Sequence, residues 1–309
     1  MDSQLDPLMG SASSLFPIIG RVANLVRRVQ RCASNSPSII SQAMDLKTML
    51  ENWQPPPFFE DPEDPTTEVQ HSIQTAEAYR WATLLHLHQA VPEIPSLSSA
   101  DLAKKVLVLL ATVPTRSRTV IVQIFPLTTA GCEAVGEEDR QWVCDRWTAM
   151  AQRMQLGIVD KAYDVVKEVW NRRDTYEAMQ HAVLASKSNG LKRAFSQPEN
   201  CGDNGIDWMT AFGCGKRRAT AGAFDVPRPF RLNSRKMSND FANGEIDHEY
   251  TVRGRLHWLG VMRDWRWEGK LPCLSLYTVF DTDNCYSTSR VRLVFAATVC
   301  THCFWLLGA

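Results

Sequence analysis

Apolar residues recur every three or four positions, in blocks ended by prolines, through the first 186 residues. That spacing is the helical one, and it confines this part of the chain to helices packed by their apolar faces. In LFPIIGRVANLVRRVQRC (15–32), Ile18, Val22, Leu25, Val26 and Val29 share a face, while Arg21, Arg27 and Arg28 lie off it. Pro17 suits a first helical turn, where its missing N–H costs nothing. SPSIISQAMDLKTMLENWQPPP repeats Ile39, Ala43, Leu46, Leu50 and Trp53, with Ser36 or Ser38 as cap and Pro55 to Pro57 as the stop. After an acidic, proline-broken loop, Thr66 or Thr67 starts a long helix to about Ala90, with Val69, Ile73, Ala76, Arg80 or Trp81, Leu84 and Leu87 inward. SLSSADLAKKVLVLLATVP predicts another, with Leu102, Val106, Leu109, Leu110 and Val113 inward.

The stretch IFPLTTAGCEAVGEEDRQWVCDRWTAM (124–150) carries no catalytic pattern and reads as packing sequence. Pro126 and Gly131 punctuate a bend. Glu137, Glu138 and Asp139 load a new helix start with negative charge, which the helix dipole favours. Val143, Trp147, Met150 and Met154 form its stripe, Gly157 is read as its stop, and Ala162, Val165, Val166 and Val169 continue in a further helix. Trp81, Trp142, Trp147 and Trp170 are candidates to line an apolar pocket, although at helical spacing core or interface is the commoner use of such rings.

From 187 the character changes. Residues 187–249 hold seven of the 16 glycines with no sustained period, so an irregular or disordered insertion is expected there. Residues 250–268 regain helical spacing through Leu256, Leu259 and Met262 or Arg263, and 269–309 form a tail of uncertain order. The expected fold is all-α: an irregular array of about eight or nine helices, with a helical domain over 1–186 completed by 250–268.

Candidate chemistry is thin. Cys300 and Cys303 have metal-ligand spacing, but four ligands are needed and no second pair matches. His86 and His88 point about 200° apart on a helix and cannot share an ion, so one is expected in the core and the other in water. GCGKRRAT lacks the glycine and hydroxyl of a phosphate loop. Asp160 and Asp164, flanked by Lys161 and Lys167, read as a solvated charged face. Neither a metal, a cofactor nor an enzymatic activity is expected, and a helical metabolic enzyme is the weak rival reading.

Equal numbers of basic and acidic residues, 34 each, give no whole-chain case for nucleic acid or anionic membrane. Locally, Lys216, Arg217, Arg218, Arg228, Arg231, Arg235 and Lys236 face a single acid, Asp225, which makes a candidate patch for nuclear import or phosphate contact. Nine scattered cysteines behind a start without a secretory or mitochondrial pattern fit reduced thiols inside the cell. Leu293–Ala309, 17 residues without formal charge, falls at the short edge of a membrane span, and no membrane partner is expected.

Taken in order, DPLMGSASSLFPIIGRVANLVRR, AEAYRWATLLHLHQAVPEIP, IFPLTTAGCEA, DRQWVCDRWTAM and VVKEVWNRRD resemble the fungal-specific transcription factor domain. This is the helical regulatory region of fungal binuclear zinc-cluster activators of the arginine-metabolism-regulator type. The likeness spans about residues 6 to 174, and LHWLGVMRDWRWE (256–268) resembles the family's terminal motif. It implies regulation of transcription in the nucleus, through co-regulator proteins, a homo- or heterodimer partner, or a small-molecule effector. The family's six-cysteine zinc cluster has no counterpart here, since Cys32 alone precedes residue 132. Sequence-specific DNA contact by these residues is therefore not expected, and the rival reading is a dimerising or inhibitory module from a truncated factor. The unlike character of 187–250 and of the tail suggests a gene-model error at one or both places.

Overall fold

A computed structural model describes residues 12–55, 69–195 and 247–267, with side chains of 184–195 left aside. Among the described residues there are eight α-helices, two short 3-10 turns and no strands, so the fold is all-α. The chain divides into two units. The first contains the described residues through Asp174 together with 247–267; the second begins at Thr175 and contains the distal part of α7 (Gly157–Phe195).

Helix α1 (Phe16–Arg31) starts with proline in its first turn and buries Phe16, Ile19, Val22, Leu25, Val26 and Val29. α2 (Pro37–Asn52) returns beside it. Ser36, of the two candidate serines, makes the cap by accepting from Ile39 N, and Ile39, Ala43, Leu46 and Leu50 face inward. Contacts at three levels show the pair to be antiparallel: Trp53 Nε1 donates to Ser14 Oγ at 2.9 Å, Arg21 reaches Met49 Sδ at 3.1 Å, and Arg28 reaches Gln42 at 3.0 Å.

The centre of the domain is α3 (Val69–Ala90), which packs against α1, α2, α4 (Ser99–Thr112) and α5 (Ile124–Gly131). Its second half, ATLLHLHQA, has no permanently charged residue, and all of 82–90 is buried, which a helix with one polar face could not tolerate. α4 (Ser99–Thr112) opens on a reciprocal cap: Ser98 Oγ accepts from Asp101 N at 3.1 Å and donates to the Asp101 carboxylate at 2.7 Å.

After a 3-10 turn (Arg118–Gln123), α5 (Ile124–Gly131) is buried along its whole length. Pro126 sits in its first turn, where no backbone donor is missed. Gly131 lies so close to α6 (Glu137–Met154) and α7 that a Cβ there would meet Val143 Cγ1 at 3.1 Å and Val166 Cγ1 at 3.7 Å. The stretch is packing sequence, as expected: a short buried helix needs a small residue where two others cross it. Gly157 does not stop α6. Gln155 does, in the left-handed region at φ 49°, and Gly157 opens α7 (Gly157–Phe195).

Two boundaries differ from the sequence reading. α7 continues to Phe195, past the expected end at 186, because no proline occurs before Pro198 and Gly190 alone does not break a helix. Within 250–268 only α8 (Trp258–Asp264) is helical, preceded by a 3-10 turn (His248–Tyr250) and tight turns. The reason is backbone contact: a Cβ on Gly254 would stand 2.0 Å from Glu249 O, and one on Gly260 2.3 Å from Gly254 O. The expected irregular segment, apart from 187–195 and the 247–249 turn, and the tail lie outside the described residues.

Candidate functional site

Burying all of 82–90 on α3 carries Gln89, His86 and His88 into the core; His86 Nδ1 has no hydrogen-bond partner there, while Gln89 is matched by hydrogen bonds. His257, the residue before α8, shows how. Its Nδ1 accepts from Leu259 N at 3.1 Å, capping the helix, so the ring proton resides on Nε2. Nε2 then donates to Gln89 Oε1 at 3.0 Å, and Gln89 Nε2 donates to Glu133 Oε1 at 2.8 Å. Glu133, just past α5, also accepts from Arg173 Nη2 of α7 at 2.7 Å.

Arg173 has further partners: Nε donates to Leu256 O at 3.0 Å and Nη1 to Cys132 O at 2.9 Å, and its guanidinium lies 5.0 Å from the Tyr250 ring centroid. His257, Gln89, Glu133 and Arg173 are each at most 5% exposed as residues. Four parts of the fold, α3, the α5–α6 turn, α7 and the C-terminal segment, therefore meet on one directional network.

Its electrostatics follow from burial. Desolvation opposes the Arg173 charge, yet the Glu133 carboxylate, with Cys132 and Tyr250 adding to it, outweighs that and holds the guanidinium above its ordinary pKa. Burial lowers His86 to about 3; it also lowers His257, with His86, Arg173 and Arg263 adding to the effect. Both imidazoles are neutral, stacked at 5.8 Å with Trp258 beside them. The Cys132 thiol is pushed up by burial, against the pull of Arg173, and is no nucleophile. A second buried network joins Arg146 Nη2 to Gln123 Oε1 at 2.7 Å and Gln123 Nε2 to Thr75 Oγ1 at 3.1 Å, while Arg146 Nη1 reaches Val113 O at 2.9 Å. Nothing in either network resembles a nucleophile with its base. Among the described residues, no three His, Cys, Asp or Glu side chains gather as metal ligands would.

The sequence profile described as the fungal specific transcription factor domain matches residues 1–220. The chain belongs to that family. Comparison with curated proteins and with solved structures gave no match. The family match extends past residue 174, beyond the run of motifs that carried the resemblance.

Within this transcription factor domain the four singled-out tryptophans take four different surroundings. Trp147 is fully buried, stacked on Tyr163 at 6.2 Å. Trp170 donates to Gly131 O at 2.9 Å beneath Arg140, which is itself held bidentately by Asp174. Trp81 is half-buried between Arg80 at 4.6 Å and Lys105 at 4.3 Å, and Trp142 is half-buried on α6. The basic residues from Lys216 to Lys236, the Cys300–Cys303 pair and the uncharged tract 293–309 lie outside the described residues. No helix among the described residues is long and apolar enough to cross a membrane.

Two indoles that the sequence reading passed over, Trp265 and Trp267, line an open groove of about 650 Å³ with Asp164, Lys167, Glu168 and Asn171 of α7. The acids there already pair with bases, Asp164 with Lys167 and Glu168 with Arg172, as a solvated face would. His86 and His88 are both buried, which corrects the expectation of one wet ring. The signal for that was available: neither neighbour of His86 or His88 in sequence is charged, so no face of the helix there asks for water.

Proposed function

We propose that these residues act as the regulatory domain of a fungal nuclear transcription regulator and do not read DNA sequence themselves. The observation that carries this reading is the family match over residues 1–220 on an all-α domain. A regulatory domain works when an effector or partner binds one packing of its helices better than another. The buried network from His257 to Arg173 supports that role, because its directional bonds hold only in one arrangement of four elements. Co-regulator proteins, a dimer partner or a small apolar effector are the classes that could bias it. The basic run from Lys216 to Lys236 would serve nuclear import.

Fusion of the full chain to an unrelated DNA-binding domain tests the proposal in a reporter strain. Output several-fold above or below that of the DNA-binding domain alone is expected, and equal output would sink it. The purified chain should show no sequence preference in a DNA selection. A fluorescent fusion should leave the nucleus when Lys216, Arg217 and Arg218 are all changed to Ala.

A further inference from the structure

Residues 247–267 are built as a small unit of their own. Leu256 N donates to Glu249 O at 3.1 Å, Arg255 N to Glu249 Oε2 at 3.2 Å, and Thr251 Oγ1 to His248 O at 2.7 Å. The backbone contacts of Gly254 and Gly260 close this knot, and α8 ends on its own pair of reversed bonds from Arg266 N and Trp267 N. A peptide already held in its bound shape loses little freedom on docking.

The surface that receives it is correspondingly specific. Val252 N donates to Gln89 O at 3.2 Å. Arg253 Nε donates to Val29 O at 3.0 Å and Cys32 O at 2.9 Å, carbonyls at the end of α1, and its Nη2 donates to Asn35 Oδ1 at 2.6 Å. Arg173 holds Leu256 O, and Arg172 pairs with Asp264 at 2.7 Å. Under these anchors Val252, Trp258, Leu259, Val261 and Met262 are buried in the common core.

We infer that the ends of α1 and α3 together with α7 form a peptide-docking surface, and that its ligand is this chain's own segment 247–267. The segment stays in place by its contacts and not by the chain that leads to it. It is a clasp that can be exchanged for a second copy of the same peptide.

The full chain carrying a specific protease site between 205 and 215 tests this. After cleavage the C-terminal piece is expected to co-elute with the helical part in gel filtration, with its helical circular dichroism unchanged. A labelled synthetic 247–267 peptide should then exchange into the cut protein but not into the uncut one. Arg253→Ala should speed release roughly tenfold or more, and Arg253→Lys, which keeps the charge but loses the fork, should fall between. Separation of the pieces on cutting overturns the inference, and so does loss of the helical signal, since either shows that continuity of the chain was required.

Discussion

Arg266 occupies the left-handed region at φ 56°, at the position after a helix end where glycine is the usual residue. Its N–H bonds Arg263 O and that of Trp267 bonds Met262 O, so the geometry is required and the side chain bears the strain. Arg266→Gly is expected to raise stability by about 0.5–1 kcal/mol, read as a higher urea midpoint. The opposite holds at Gly254, where the atom a methyl would strike is a backbone oxygen that cannot step aside. Gly254→Ala should cost about 3 kcal/mol or more in the same measurement. At Glu133 the charge is what matters. Glu133→Gln leaves a buried guanidinium without its counter-charge and should cost about 3–5 kcal/mol, whereas the double change Glu133→Met with Arg173→Met should recover much of that loss.

Among the elements, the starts of α1, α2 and α6 were legible, because a first turn is a local matter of one or two side chains and the backbone beside them. The two serine caps nevertheless differ. Ser98 both accepts at 3.1 Å and donates at 2.7 Å, while Ser36 accepts at 3.4 Å only. Ser98→Ala is therefore expected to lower stability by about 1 kcal/mol, and Ser36→Ala by clearly less, in paired thermal melts. The inward stripes of α1, α2, α4 and α6 were legible for the same reason, since each buries one face. α3 was only half legible: of its expected inner face Ala76, Leu84 and Leu87 are buried while Val69, Ile73, Arg80 and Trp81 are only partly so, and burial on every side of 82–90 removes the polar stripe that a periodicity reading needs. Residues 250–268 were read as one helix because Leu256, Leu259 and Met262 keep helical spacing. The turn before α8 depends on two glycines meeting backbone atoms, which spacing does not encode.

For the whole molecule, the buried histidines set the response to acid. An unfolded histidine titrates near 6.5, while His86 is lowered to about 3 and His257 well below its ordinary value. Between these values the unfolded chain binds more protons than the folded one, so stability is complete above about pH 6.5 and falls as pH drops toward 3. The groups facing the pair are Phe125 of α5, Trp258 of α8, Gln89, Arg173 and Arg263; protonation of His257 would also turn its capping Nδ1 into a second donor facing Leu259 N. Urea unfolding from pH 7.5 down to 4.5 should show a loss of about 1.4 kcal/mol per pH unit for each histidine inside that window. His86→Leu should flatten the slope by one proton; an unchanged slope would show that the imidazole does not carry it.

Sequence alone determined that the described residues are helical, where α1, α2 and α6 start and which faces most of the helices bury, because those properties depend on residues three and four apart. It also carried the family, through the order of its motifs. Only the tertiary structure decided that Gln89, Glu133, Arg173 and His257, spread over 169 positions, form one buried network, and that 247–267 closes the domain. Such contacts arise where separate elements meet, and each of these residues, taken in its own neighbourhood, looks like an ordinary polar residue on a helix or turn.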